Sequence, residues 1–294
     1  MINTRLIAPP LQEPISLALA KLHLRINASW TAEDTLISAF ITAARQYAEK
    51  YMNRSFFPQT WELALDHFPW ANWFSGTTIL AEVRENWPFW SAYLDVLAIK
   101  LPYPRALAVN SVVYLDSTST PQTLSASTYA LDVDSMPARL YPLYNMSWPT
   151  QQAVLPGSVK VNFTAGSFCT PQVDSLLVPT SGPFTVSLSQ GANYLGMASL
   201  LDQSAEPVSF AATAVLTNGV ITGYTLTVPS GYAAQYITAT YYVPQIPQTM
   251  IAAMLLTIGH LYKNREATVE TAMQNLPYGV EMLLNTEKHF TFSV

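Results

Sequence analysis

Charge is scarce in this 294-residue chain: charged residues make up 11% of it, against about 25% in ordinary soluble domains. The net charge of −5 argues against a protein that grips nucleic acid through its phosphates. A single cysteine, Cys169, excludes an internal disulfide and a cysteine-based zinc site, and it reads as a small buried hydrophobe in a loop. The longest helix-like apolar run, 250–258, is about half of what a bilayer requires. The stretch MINTRLIAPPLQEP has no continuous apolar core before Pro9-Pro10, which argues against a secretory signal.

Catalytic patterns are equally sparse. The four histidines, His23, His67, His260 and His289, are far apart, and no H-x-x-x-H or H-E-x-x-H pair occurs. Nothing matches G-x-S-x-G, a P-loop or a dinucleotide fingerprint. Asp132 and Asp134 could share a metal, but a strand running into a turn puts both on one exposed, solvated face. No catalytic residue, metal ligand or cofactor is assigned, and the chain does not read as an enzyme.

What the chain has is apolar: aromatics are 12% of it. Low charge with many aromatics leaves surface that prefers a neighbour to water, as in a subunit of an assembly. A large core would explain part of the same composition.

The most ordered pattern spans 31–65. Thr31 followed by Asp34 reads as an N-cap with an acid in the first turn, predicting a helix from near Ala32. Leu36, Ile37, Phe40, Ile41, Ala44, Tyr47, Ala48 and Tyr51 recur at three- and four-residue intervals, while Glu33, Ser38, Thr42, Arg45, Glu49 and Lys50 fill the remaining positions. The pattern stops at Asn53-Arg54, and Pro58 blocks continuation. Trp61, Leu63 and Leu65 then alternate with Glu62, Ala64 and Asp66 as in a half-buried strand.

This helix-to-strand junction resembles the head-tail connector (adaptor) family of tailed bacteriophages, gp6-like. Upstream, PISLA and KLHLR at 14–25 look like that family's first helix, with Leu19 where an acid is often found. Downstream, IKLPYPRAL at 99–107, SVVYLD at 111–116, PARL at 137–140, Trp148-Pro149 and VKVNFTAG at 159–166 follow its strand order. IPQTMIAAMLLTIGHLYKNRE at 246–266 and LPYGVEMLL at 276–284 resemble its last long helix and closing turn. These pieces cover about two thirds of the chain.

Two segments fall outside the family pattern. In 69–98, strand-like stretches flank Arg84-Glu85-Asn86-Trp87-Pro88, so a long hairpin is expected, with Trp87, Phe89 and Trp90 at its tip. Those aromatics either fold back onto the core or form a contact site for a partner. In 167–245 the content is strand and turn: 183–189, 208–216, 221–228 and 236–243, with the hairpin signal Asn218-Gly219 between two of them. A small β-sandwich-like module is expected, either a fold-stabilising elaboration or a contact for a capsid or tail partner.

The expected architecture is α+β: a small helical bundle joined to an antiparallel β part, with an inserted all-β module. Helices are expected near 15–26, 32–53, 247–265 and 278–285. The expected divisions are 1–68 (helices and first strand), 69–98 (aromatic hairpin), 99–166 (β part), 167–245 (inserted module) and 246–294 (closing helices and arm).

The resemblance implies a structural virion protein of the neck. It implies a ring of twelve copies beneath the portal that joins capsid to tail, lines the channel through which DNA passes without sequence-specific contact, and assembles in the host cytoplasm. Its partners would be further copies of itself, the portal, tail or stopper proteins and, through the β insertion, the capsid; no membrane is involved. EKHFTFSV at 287–294 is too apolar for a free tail, so Phe290, Thr291, Phe292 and Val294 are candidates for portal binding. Tyr47, Tyr51, His260 and Arg265 are candidates for subunit packing. A stopper protein one layer lower, or a virion protein whose insertion binds carbohydrate, remain alternative readings.

Overall fold

The computed structural model describes residues 3–69, 97–150, 152–153, 155–217, 220–265 and 278–288. The fold is α+β, a four-helix part against antiparallel sheets, with an all-β segment at 169–244 that precedes the last two described helices in sequence.

The helical part contains α1 (Leu17–Leu24), α2 (Asp34–Met52), α3 (Gln248–Lys263) and α4 (Tyr278–Asn285). Ser16 caps α1, its Oγ accepting from the Leu19 N–H at 3.2 Å. Helix α2 starts differently from its sequence pattern. Its N-cap is Glu33, which makes no side-chain cap bond, and Thr31 contributes only its carbonyl, to the Asp34 N–H at 3.2 Å. Asp34 is instead held by an ion pair with the buried Lys21, so its place in the first turn serves α1–α2 packing as well as the helix dipole. At the other end Asn53 takes a left-handed conformation, φ 54°, and its N–H closes onto Glu49 and Lys50. Asparagine tolerates that region, and Pro58 keeps the chain from resuming the helix.

Ile37, Ile41, Ala44, Ala48 and Met52 line one face of α2 and meet Met250, Ala253, Met254 and Ile258 of α3, and Val280 and Leu284 of α4, in one buried cluster. Burying each large aliphatic side chain contributes about 1.5–3 kcal/mol. Helices distant in sequence are thus joined by a common core. Leu36, on the apolar pattern, remains 37% exposed, while Arg45 on the opposing pattern is buried.

The largest sheet has five strands: β1 (Asn3–Ala8), β2 (Gln59–Leu65), β4 (Ala106–Leu115), β5 (Pro121–Thr123) and β8 (Val159–Ala165), in the order β1-β2-β8-β4-β5. Between them in sequence lie β3 (Ile99–Lys100), β6 (Tyr129–Asp132) and β7 (Arg139–Pro142), which form a three-stranded sheet, β3-β7-β6. Leu63, Phe68, Val112, Leu140, Trp148, Val161 and Phe163 form one core common to the two sheets. Phe68 stacks on Trp148 with centroids 5.1 Å apart, and the Trp148 indole N–H donates to the Leu97 carbonyl at 2.7 Å, which satisfies the polar handle of a buried tryptophan. Strand β1 has no clear alternation of its own and forms by pairing with β2, Leu6 opposite Trp61.

The insertion holds β9 (Cys169–Leu177), β10 (Thr185–Ser187), β11 (Gly196–Leu201), β12 (Ala211–Thr217), β13 (Val220–Thr227) and β14 (Tyr236–Pro244). They form two sheets, β10-β13-β12 and β11-β14-β9. Leu226 from the first and Ile237, Ala239 and Tyr241 from the second lie in a common core. Four of these strands match sequence expectation. β9 and β11 do not, since Pro171 and Asp174 break up the first and the second is a six-residue piece starting at Gly196. Cys169 is accordingly buried at the start of a strand, not in a loop.

The junction between helices, sheet and insertion is tightly packed. Ser167 and Phe168 N–H groups donate to the Ser55 and Phe56 carbonyls at 2.8 Å each, and Phe168 meets Phe56 edge-on at 5.1 Å. A Cβ at Gly166 would come within 2.8 Å of the Pro58 nitrogen, so only glycine lets the chain pass there. Phe57, Cys169 and Leu195 form a small core of their own against Ile246.

Candidate assembly surfaces

The polar face of α2 carries the most developed side-chain network. Arg45 Nε donates to Glu13 Oε2 at 2.8 Å and its Nη1 to Glu49 Oε2 at 2.7 Å. Thr42 Oγ1 also donates to Glu13, at 3.0 Å. The other oxygen of Glu49 accepts from the Phe56 N–H at 2.8 Å and from the Gln59 amide. The Arg45 side chain is only 3% exposed. Burial acts to lower its pKa, but the hydrogen bonds and charges of Glu13 and Glu49 more than offset this and raise it. Burial pushes the Glu49 carboxyl up, against the opposing effect of Arg45 and its hydrogen bonds. Helix periodicity placed Arg45 and Glu49 with the polar positions, and the structure corrects this. The segment carrying Glu13 and the strand carrying Gln59 cover that face, and a charge so covered must be paired.

A second set of contacts fixes the start of the C-terminal arm. Arg54 Nη1 donates to the Glu287 carbonyl at 2.9 Å and lies 3.6 Å from its carboxylate. Tyr51 donates its hydroxyl to Asn285 at 3.0 Å, and the Lys288 ammonium lies 4.2 Å from the centroid of the Tyr51 ring, a cation–π geometry. The end of α2 thus holds 285–288 in place. An open cleft of about 340 Å³ adjoins it, lined among others by Lys50, Arg54, Trp61 and Tyr103, with the last two rings stacked at 4.1 Å.

At the opposite end of the bundle, Arg265 makes two hydrogen bonds to Glu33, at 2.9 and 3.2 Å. Its guanidinium lies 4.1 Å from the centroid of the Tyr262 ring. The hydrogen bond from Arg265 holds the Glu33 carboxyl below its ordinary pKa, and that from Tyr262 adds to it. His260 lies nearby, its Nδ1 3.3 Å from the Asn264 amide.

Two of the sequence candidates for subunit packing therefore meet at one place: Tyr47 and Tyr51 stack with centroids 6.1 Å apart, half-buried against the helical core. His260 and Arg265 lie together near the end of α3. Arg265 engages Glu33 of its own chain, a partner that sequence spacing did not suggest across 232 positions. Phe290, Thr291, Phe292 and Val294 lie outside the described residues, as do Trp87, Phe89 and Trp90 and the hairpin expected around them.

Of the aspartate pair, Asp134 is exposed as expected, whereas Asp132 proves to be a turn clamp. Asp132 accepts from Arg139 Nη2 at 2.7 Å, from Ser135 Oγ at 2.5 Å and from the Asp134 N–H at 3.1 Å, and these donors, Ser135 first, hold its pKa at about 2. It is half-buried beside Arg139, not on a solvated face, because the β6–β7 turn folds the arginine back over it. Among the described residues no group of three or more His, Cys, Asp or Glu side chains could hold a metal ion. No described helix is long and apolar enough to cross a membrane. In the insertion, Asp174 accepts from Ser189 N–H and Oγ at 2.8 and 2.7 Å and from the Tyr241 hydroxyl at 2.9 Å. Burial alone would raise its pKa, and these donors lower it.

Residues 14–72, which hold α1, α2 and β2, match the model of the phage gp6-like head-tail connector proteins. The resemblance read from the sequence is thereby shown for that segment. A chain in the virion of a native gene transfer agent particle has a similar fold, with TM-score 0.50 and 15% identity over 99% of this chain and 97% of that one. A chain in the neck of such a particle, computed with C12 symmetry, aligns at TM-score 0.49 and 15% identity over 100% and 97%. No curated protein matches the chain.

Proposed function

We propose that this protein is a structural component of a phage-like neck: a head-tail connector whose copies form a ring beneath the portal and join capsid to tail. The match of residues 14–72 to the connector model carries this reading. That segment supplies α1, α2 with the paired Arg45 and Glu49, and the strand β2 of the large sheet. The fold it shares with a chain of a gene transfer agent virion is in keeping with it.

In this reading the chain makes and breaks no bonds; its work is packing. A ring size of twelve, a lumen through which DNA passes, and capsid contact through the insertion come from the resemblance alone. The C-terminal arm is the portal-binding element, with Phe290, Thr291, Phe292 and Val294 as its contacts, and the grip of Arg54 and Tyr51 on 285–288 supports this by giving the arm a fixed origin. Tyr47, Tyr51, His260 and Arg265 remain the candidates for packing between copies, and Trp87, Phe89 and Trp90 for a partner contact.

Deleting 287–294 tests the reading of the arm. The truncated protein is expected to fold and to associate with itself while losing portal binding in a pull-down. Undiminished portal binding would refute the assignment of the arm.

A further inference from the structure

Arg54 belongs to two places at once. Its Nη1 holds the Glu287 carbonyl at 2.9 Å, and the same residue lines the cleft of about 340 Å³ beside the end of α2. Its Nε is buried and has no hydrogen-bond partner among the described residues, although a buried donor ordinarily finds one. The chain that Tyr51 and Arg54 pin at 285–288 therefore leaves from the rim of this cleft.

The lining combines apolar surface with donors. Leu6, 38% exposed, and the stacked rings of Trp61 and Tyr103 supply the first. The Trp61 indole N–H is already taken by Ser55 Oγ at 3.0 Å, so what that ring offers the cleft is apolar. Lys50, Asn53 and Arg54 supply the donors. The volume lies at the lower end of the roughly 300–1,000 Å³ of ligand pockets, which suits a few side chains on one stretch of backbone.

Residues 289–294, HFTFSV, contain no aspartate, glutamate, lysine or arginine. In an extended chain Phe290, Phe292 and Val294 fall on one side, with Thr291 and Ser293 on the other. Six residues reach at most about 20 Å, and these begin one residue beyond the point at which Lys288 lies over the Tyr51 ring.

We propose that in the free subunit 289–294 dock in this cleft of their own chain, Phe290 and Phe292 against Leu6 and the Trp61–Tyr103 stack, with a backbone carbonyl accepting from Arg54 Nε. Tethering identifies the occupant. A segment that starts at the rim is present at an effective concentration in the millimolar range, far above that of a separate partner in dilute solution. The docked segment covers the side chains assigned above to portal binding, so cleft and portal compete for them. That competition rests on the portal reading of the arm, whereas the docking does not.

Photo-crosslinking of the full-length protein with p-benzoylphenylalanine in place of Phe290 or Phe292 tests the docking. In an equal mixture of isotopically light and heavy protein, adducts are expected within one chain, on Leu6, Trp61 or Tyr103. Adducts outside the cleft, or adducts that join light to heavy chains, overturn the proposal. Gln46→Trp gives a second measurement. Gln46 lines the cleft, is exposed on α2 and makes no side-chain hydrogen bond among the described residues, so a larger ring there fills the cleft and leaves the helix intact. Chymotryptic cleavage after Phe290 is expected to accelerate about tenfold, the change from a free population of about 10% to complete release, at unchanged helical circular dichroism. Cleavage at the unsubstituted rate overturns the docking. A portal pull-down separates the two readings. Stronger capture of Gln46→Trp supports both, whereas equal capture with in-cleft adducts sinks the portal reading of the arm and leaves the docking standing.

Discussion

Replacing Arg45 with methionine keeps most of the buried stem and removes the charge, which isolates the electrostatic part of the α2 network. Glu49 would then be left 12% exposed without its cation. Removing one member of a buried ion pair costs about 3–5 kcal/mol. Glu13 is 32% exposed and is stabilised by water, so the lower figure, about 3 kcal/mol, applies. That is a large share of the roughly 5–15 kcal/mol that holds a protein folded. With m near 3 kcal/mol/M, the urea midpoint should fall by about 1 M. The loss should also depend on pH. Burial already raises the Glu49 pKa, and without Arg45 it rises further, so the carboxyl can neutralise in mild acid. Urea titrations followed by helical circular dichroism should show a larger deficit at pH 8 than at pH 5. Adding Glu49→Gln should recover at least half of the deficit at pH 8. A midpoint shift below about 0.3 M, or the same shift at both pH values, would refute the reasoning.

Asp132 has a folded-state pKa of about 2, below its unfolded value near 3.9; the stability it contributes is present above about pH 4 and is lost as pH falls towards 2. Asp132→Asn should flatten that part of the melting-temperature profile, and an unchanged acid slope would contradict the clamp. Burial pushes the Cys169 thiol up to about 12, so a thiol reagent at pH 7.5 should leave the native protein unlabelled and modify one thiol after denaturation; rapid native labelling would contradict its burial. Tyr241→Phe removes a donor from Asp174 and the acceptor of the Gln190 N–H, and should cost about 1–3 kcal/mol in thermal melts. Arg54→Ala should free the arm's origin, so that carboxypeptidase trims beyond 287 faster than in the unsubstituted protein at unchanged helix content; equal trimming would show that Arg54 does not hold it.

The helix-to-strand junction was legible because two local rules agree there: the apolar period of α2 ends where Asn53 takes the left-handed cap and Pro58 forbids more helix. The four helices and four strands of the insertion were readable for similar reasons. Distant pairings were not. Periodicity set Arg45 outside the apolar positions and carried no sign of its burial, because its partner Glu13 lies 32 residues away, and it gave no hint that Glu33 would meet Arg265. β1 and β9 escaped because partner strands, not their own alternation, make them strands. Asp132 was misplaced on an open face because the return of Arg139 over the turn is a tertiary event. A carboxylate followed by a serine three residues on and an arginine seven residues on, across a turn, was the available signal.

The connector reading is tested most directly by electron microscopy of the neck in particles that contain this protein. The account predicts that its density forms a closed ring directly beneath the portal. Density for these subunits at the tail tip, on the capsid shell or separated from the portal by another protein layer would contradict it.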